Sequence, residues 1–212
     1  MPLGLMVAVA VAVAACSSGN GGGAVPTEPV VPAKAPAAAI APAWETPEGW
    51  RTETIPFPLE FAPGLAYRGV EELRFPKAFL VPGDEWYFSY AFVWHVAAPG
   101  PASVEVLEAD LVAYFRGLAI AVGGAEREDI KAFPFAAALE GDLASGTVTG
   151  TVAAFDAFKA QQGLTLQLRV RGVPCSAGQE RAYVFVASPR PYGAGDLVWA
   201  ELERLAAAFR CP

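Results

Sequence analysis

The sequence predicts an α+β two-layer sandwich: an antiparallel sheet of about five to six strands with two helices packed on one face. Three observations lead there. Two segments repeat apolar side chains every three to four residues, as helices do. Several shorter segments alternate apolar and polar side chains with a period of two. The alternating segments mostly follow one another across short glycine-containing connections, which suit antiparallel neighbours rather than the long crossovers of parallel strands.

The first strand is expected over residues 69–75. Pro82-Gly83-Asp84 is a turn signal, because proline presets φ and glycine admits positive φ. A strand over 86–96 follows. It places Trp86, Phe88, Tyr90, Phe92, Trp94 and Val96 on one face, and Tyr87, Ser89, Ala91, Val93 and His95 on the other. Both faces are largely apolar, so this strand is expected at the sheet centre, with its aromatic row in the core. The first helix begins after Pro99-Gly100-Pro101, with Ser103 as N-cap and Glu105 in the first turn, where the helix dipole favours an acid. Val104, Leu107, Leu111, Tyr114/Phe115, Leu118 and Val122 recur on it, and Gly123-Gly124 ends it.

Residues 133–140 are expected as a strand despite Pro134, and 147–154 as one alternating Thr with Val or Gly. Over 164–170, Leu164, Leu166, Leu168 and Val170 alternate with Thr165, Gln167 and Arg169, the pattern of a half-buried strand. Residues 182–187 form a short apolar strand. The second helix starts near Asp196, with Val198, Leu202, Leu205 and Phe209 on one face and Glu201, Glu203 and Arg204 away from it.

The 212-residue chain carries a net charge of −7, with 54% hydrophobic and only 17% charged residues. That excludes nucleic-acid binding by bulk positive charge and a wholly disordered chain. Residues 17–43 are Gly-rich and then Pro/Ala-rich. They hold no aromatic, and Glu28 and Lys34 are their only charges. Such composition makes an extended, semi-rigid spacer. Composition changes at Trp44, where Trp44 and Trp50 bring two of the five tryptophans within seven positions. A single globular domain is therefore expected over 44–212, large enough to bury about 70% of its extended surface.

Residues 3–15 are an unbroken run of Leu, Gly, Met, Val and Ala, followed by Cys16. The run falls short of the ~20 residues a membrane-spanning helix needs. It fits the apolar core of a secretory signal, with small residues before a cleavage point. Val13-Ala14-Ala15-Cys16 resembles the lipobox of bacterial lipoproteins. The resemblance implies that 1–15 are removed as a signal peptide, that Cys16 is diacylated through a thioether, and that the new amino terminus is often acylated too. Two or more acyl chains anchor stably, since each buried CH₂ is worth about 0.8 kcal/mol. The implied address is a bacterial cell envelope, with the domain facing the periplasm or exterior. Ser17 after the lipidated cysteine favours the outer membrane if the host is Gram-negative. The implied partner is the membrane, through the lipid; an envelope protein or a small-molecule ligand stays open.

With Cys16 taken by lipid, Cys175 and Cys211 remain, an even pair in an oxidising compartment. They are expected to form a disulfide. Closing a loop of about 35 residues contributes roughly 3–4 kcal/mol by the loop-closure argument.

No catalytic constellation is assembled from these residues, and no cofactor or metal is called for. His95 is the only histidine. Ser89 shares its strand face but lies six residues away, about 20 Å along a strand, so the two cannot touch. A hydrogen-bonded structural histidine is expected. Glu71 and Glu72 alternate across a strand. Glu105, Glu108 and Asp110 sit in early helical turns, where dipole and solvent account for them. Glu126, Glu128 and Asp129 read as a solvated loop with Arg127 and Lys131. Arg169 and Arg171 share a polar strand face with Gln167, either an anion-contacting stripe or an ordinary wet face. A ligand surface is expected where the 86–96 strand, with Trp94 and His95, meets Tyr67 and the loop Pro189-Arg190-Pro191-Tyr192. The function expected is a membrane-anchored envelope lipoprotein with a non-catalytic binding or structural domain. The alternatives are an envelope hydrolase with a carboxylate pair assembled in space and a carrier of an apolar ligand between sheet and helix.

Overall fold

A computed structural model of the protein describes residues 44–97, 103–144, 146–175, 180–193 and 195–211. The signal, lipidation and spacer expectations fall on 1–43, outside the described residues. The elements in chain order are β1 (Arg51–Phe57), β2 (Arg68–Phe75), β3 (Tyr90–Ala97), α1 (Val104–Gly123), α2 (Glu128–Ala132), β4 (Ala136–Glu140), β5 (Thr147–Asp156), β6 (Gln162–Pro174), β7 (Glu180–Ser188) and α3 (Leu197–Ala208). The strands form one antiparallel sheet in the order β1-β2-β3-β7-β6-β5-β4. It has seven strands rather than five to six. Two meanders, β1–β3 and β4–β7, meet where β3 pairs with β7, placing Phe92 beside Phe185 and Trp94 beside Tyr183.

The helices do not share a face, which corrects the two-layer expectation. On one face of the sheet, Tyr90, Phe92, Trp94, Val96, Phe185, Leu168 and Val170 join Leu107, Leu111, Tyr114 and Phe115 of α1 in one core. On the other, Ala91, Val93, Ala182, Val184 and Val186 join Val198, Trp199, Leu202 and Leu205 of α3 in a second. The reason lies in β3 and β7. Both are apolar on both faces, so each face needs its own cover.

The helix ends follow the sequence signals. Ser103 Oγ accepts from Val106 N–H at 3.2 Å, and Gly124, at φ 98°, donates to Ile120 O at 2.8 Å. Asp196 caps α3 by accepting from Val198 N–H at 3.0 Å and Trp199 N–H at 3.2 Å. The Cys175–Cys211 disulfide forms, with the Cα atoms 5.6 Å apart. Trp44, at the compositional boundary, is 1% exposed and donates Nε1–H to Leu205 O at 2.8 Å.

Four segments differ from expectation. β1 is an additional strand: polar and carrying Pro56, it pairs only with β2 at the sheet edge, where proline is tolerated. Residues 86–89 are turns rather than strand. Tyr87 N–H bonds Asp84 O at 3.1 Å, Ser89 N–H bonds Trp86 O at 3.1 Å, and Phe88 takes φ 51°. This breaks the alternation, so Trp86 lies on the α3 side against Trp50, ring centres 5.5 Å apart, while Phe88, Tyr90, Phe92, Trp94 and Val96 stay in the α1 core. The acidic segment read as a loop contains helix α2, with Lys131 paired to Glu126 at 2.9 Å and Glu128 at 3.3 Å. β4 starts only at Ala136, because Phe135 N–H closes a turn onto Phe133 O at 3.0 Å around Pro134.

Candidate functional site

The five residues expected to meet at a ligand surface are parted by the sheet. Tyr67 and Trp94 are in the α1 core, ring centres 5.9 Å apart, with Trp94 wholly buried. The Tyr67 hydroxyl donates to Asp110, and Trp94 Nε1–H donates to Glu71 Oε1 at 3.0 Å. His95 has the parity of Ala91 and Val93 and so takes the α3 face. Its Nε2 lies 3.6 Å from Glu180 Oε2, within ion-pair range and too long for the hydrogen bond expected of it. Its register partner is Ala182, near the start of β7, whereas the 189–192 loop follows the end of that strand. Six residues of strand, about 20 Å, separate them.

Arg190 and Tyr192 do lie together, beside the start of α3. Arg190 Nε and Nη2 donate to Asp196 Oδ2 at 2.9 and 2.6 Å, and its carbonyl accepts from Trp199 Nε1–H at 3.2 Å. The guanidinium holds the Asp196 carboxyl below its ordinary range, so this cap stays ionised. Tyr192 packs edge-on against Trp199, ring centres 5.4 Å apart at 72°, and keeps 52% of its surface exposed.

A hollow of about 410 Å³ opens beside Tyr192 on the face opposite α1, where α3 stops and β6, β5 and β4 continue. Strand parity builds its floor. Val148, Val152, Leu166, Leu168 and Val170 point to α1, so Thr149, Thr151, Gln167 and Arg169 point the other way. The register sets them in two cross-strand rows. Glu140 opposes Thr149, which opposes Arg169; Ala138 opposes Thr151, which opposes Gln167. The first row continues into Val186, under α3. Gly150 lets β4 and β5 approach here, since a Cβ would stand 2.0 Å from Ala138 O.

The arginines of this face are both engaged. Arg169 Nε stands 2.8 Å from Glu203 Oε1, and its Cζ lies 4.7 Å from the centre of the Tyr192 ring. Arg171 Nη2 donates to Ala206 O in the last turn of α3, where the helix dipole favours a cation. Neither forms a free anion stripe. The side chains of Glu140, Thr149, Thr151 and Gln167, by contrast, make no hydrogen bond or ion pair among the described residues. Sequence reasoning named Gln167 and Tyr192 but missed Glu140, Thr149 and Thr151. The alternating threonines of β5 were the available signal.

Acids elsewhere serve the fold. Glu108 Oε1 accepts from Leu139 N–H at 2.7 Å, occupying a donor of the edge strand β4, so it is not simply solvated. Asp110 holds Tyr67, and burial pushes its pKa above the usual carboxylate range. Glu71 is wholly buried among aromatics on the α1 face, with Oε2 lacking a hydrogen-bond partner, and burial pushes its pKa up to about 7. No substrate reaches it without opening the core. Glu72 points the other way, to Arg74 at 3.0 Å, so the two do not form a pair. Among the described residues no three His, Cys, Asp or Glu side chains converge as a metal site. No described helix is long and apolar enough to cross a membrane.

Compared with known protein families, curated proteins and solved structures, the chain matches none.

Proposed function

We propose that the protein is a lipid-anchored binding domain of a bacterial cell envelope, without catalytic activity, that presents the outer face of β4–β6 as its ligand surface. The observation that carries this reading is the hollow itself: a walled, polar sheet face on which the side chains of Glu140, Thr149, Thr151 and Gln167 have no hydrogen-bond or ion-pair partner among the described residues. Buried polar networks finish their hydrogen bonds internally, whereas binding surfaces leave donors and acceptors open to a ligand. Val13-Ala14-Ala15-Cys16 supports the anchor, and residues 17–43 supply a spacer between lipid and domain. The Cys175–Cys211 bridge accords with an oxidising compartment. In a Gram-negative host, Ser17 after Cys16 favours the outer membrane over retention at the inner one.

The anchor is tested by expressing the full chain and its Cys16→Ser variant in a bacterium fed labelled palmitate. The wild type should carry the label and sediment with membranes, and the variant should lose the label. A variant that still fractionates as the wild type does, or a mature chain starting at an unmodified Met1, refutes the anchor.

A further inference from the structure

We propose that the hollow beside Tyr192 binds an uncharged saccharide, one sugar ring lying against the exposed side of Tyr192 and its hydroxyls bonding Thr149, Thr151, Gln167 and Glu140. The inference rests on taking this face as the ligand surface and adds the chemical class of the ligand.

Charge excludes an anion. Arg169, the cation of the hollow, is already neutralised by Glu203 at 2.8 Å and stacked on Tyr192, and Glu140 adds a negative charge. The chain as a whole is at −7, so a phosphate, a uronate or a nucleic acid meets repulsion here. An apolar ligand fails for the opposite reason. It would cover two threonine hydroxyls, an amide and a carboxylate without replacing their bonds to water. An extended peptide binds by adding a strand to a sheet edge, through backbone donors and acceptors. The hollow lies on the face of the sheet, where only side chains are offered, and Leu139 N–H at the β4 edge is already bonded to Glu108.

What remains is a neutral molecule with many hydroxyls and an apolar patch of its own. Hydroxyl and amide groups donate and accept, matching sugar hydroxyls in either role. Strands spaced ~4.8 Å apart, with same-face side chains ~6.8 Å apart along each, present these groups as a grid. Tyr192 supplies the flat apolar surface. Trp199 on its edge and Arg169 on its face hold the ring in place beforehand, which lowers the ordering penalty of binding. A volume of about 410 Å³ lies within the ~300–1,000 Å³ of small-molecule sites.

The test uses the full mature lipoprotein in detergent micelles, titrated with two probe sets and followed by amide and methyl chemical shifts. One set is uncharged: maltotetraose, cellotetraose and chitotetraose. The other holds glucose 6-phosphate, an oligogalacturonate and an unstructured peptide. The expected result is that an uncharged oligosaccharide shifts Thr149, Thr151 and Gln167. Tyr192→Ala should then weaken it about tenfold, and Thr151→Val, which keeps the side-chain shape and removes the hydroxyl, severalfold. Melting temperatures of both variants verify that the fold is intact. If only a charged probe or the peptide shifts these residues, the saccharide assignment falls and the ligand surface stands. If no probe shifts them, both fall.

Discussion

The two halves of the sheet obey different rules. Where β3 and β7 meet, both faces are apolar: Phe92, Trp94 and Phe185 pack beneath α1, and Val93, Val184 and Val186 beneath α3. In β4–β6 only one face is apolar; the other carries Thr149, Thr151 and Gln167, and α3 reaches it at β6, where Arg169 meets Glu203 and Arg171 meets Ala206. The centre is therefore a three-layer structure, while the flank is a two-layer one with an open outer surface. Stability is concentrated in the first region, and the freedom to meet a ligand in the second.

The sharpest way to break the comparison is to cut into the centre. Phe92 is wholly buried and stacks on Phe185 with ring centres 4.3 Å apart. Phe92→Ala should destabilise by about 3–5 kcal/mol, read from denaturant unfolding. A loss below ~1 kcal/mol would show that the centre does not dominate stability.

Second comes the bridge that ties the end of β6 to the chain beyond α3. Replacing Cys175 and Cys211 together by Ser should cost about 2–4 kcal/mol, with reduced wild type melting like the double variant.

The third effect depends on pH. Glu71 titrates at about 7 in the folded chain and near 4.5 when unfolded. Its burial shifts the acid upward, so the folded state holds the proton longer than the unfolded one. Stability is then full below about pH 4.5, falls between 4.5 and 7, and is level above. Glu71→Gln does not titrate and retains an acceptor for Trp94. Its stability relative to wild type should rise by about 3 kcal/mol between pH 4 and pH 8. A constant difference across that range would show that Glu71 is not buried as an acid.

The smallest effect sharpens the contrast from the open side. Thr151→Val changes a wet face without touching either core, and it should move stability by no more than ~0.5 kcal/mol.

Much of this fold was legible in local pattern. Ser103, Asp196 and Gly124 mark helix ends because caps answer a need confined to a few neighbouring residues. The double-sided apolar run of β3 announced a central strand. β1 carries no clear sequence signal because an edge strand needs no strong apolar alternation, and Trp86 takes the face opposite to the one its spacing predicts because the turn at 86–89 reverses parity before it. At the site, Tyr192 and Gln167 could be named from residue type, but their meeting could not. It depends on β6 pairing with β7, the loop after β7 folding onto Trp199, and α3 ending short of β5.

Sequence alone determined which side chains share a face in the alternating strands, where α1 begins and ends, where α3 begins, and that Cys175 and Cys211 could form a pair. These follow from backbone periodicity and from hydrogen bonds satisfied within a turn or two. Tertiary structure decided that β3 pairs with β7, that α1 and α3 take opposite faces, and that Thr149, Thr151 and Gln167 border Tyr192. Those outcomes belong to the burial of whole faces against distant partners, and apolar area carries no address: it requires cover and does not name the segment that supplies it.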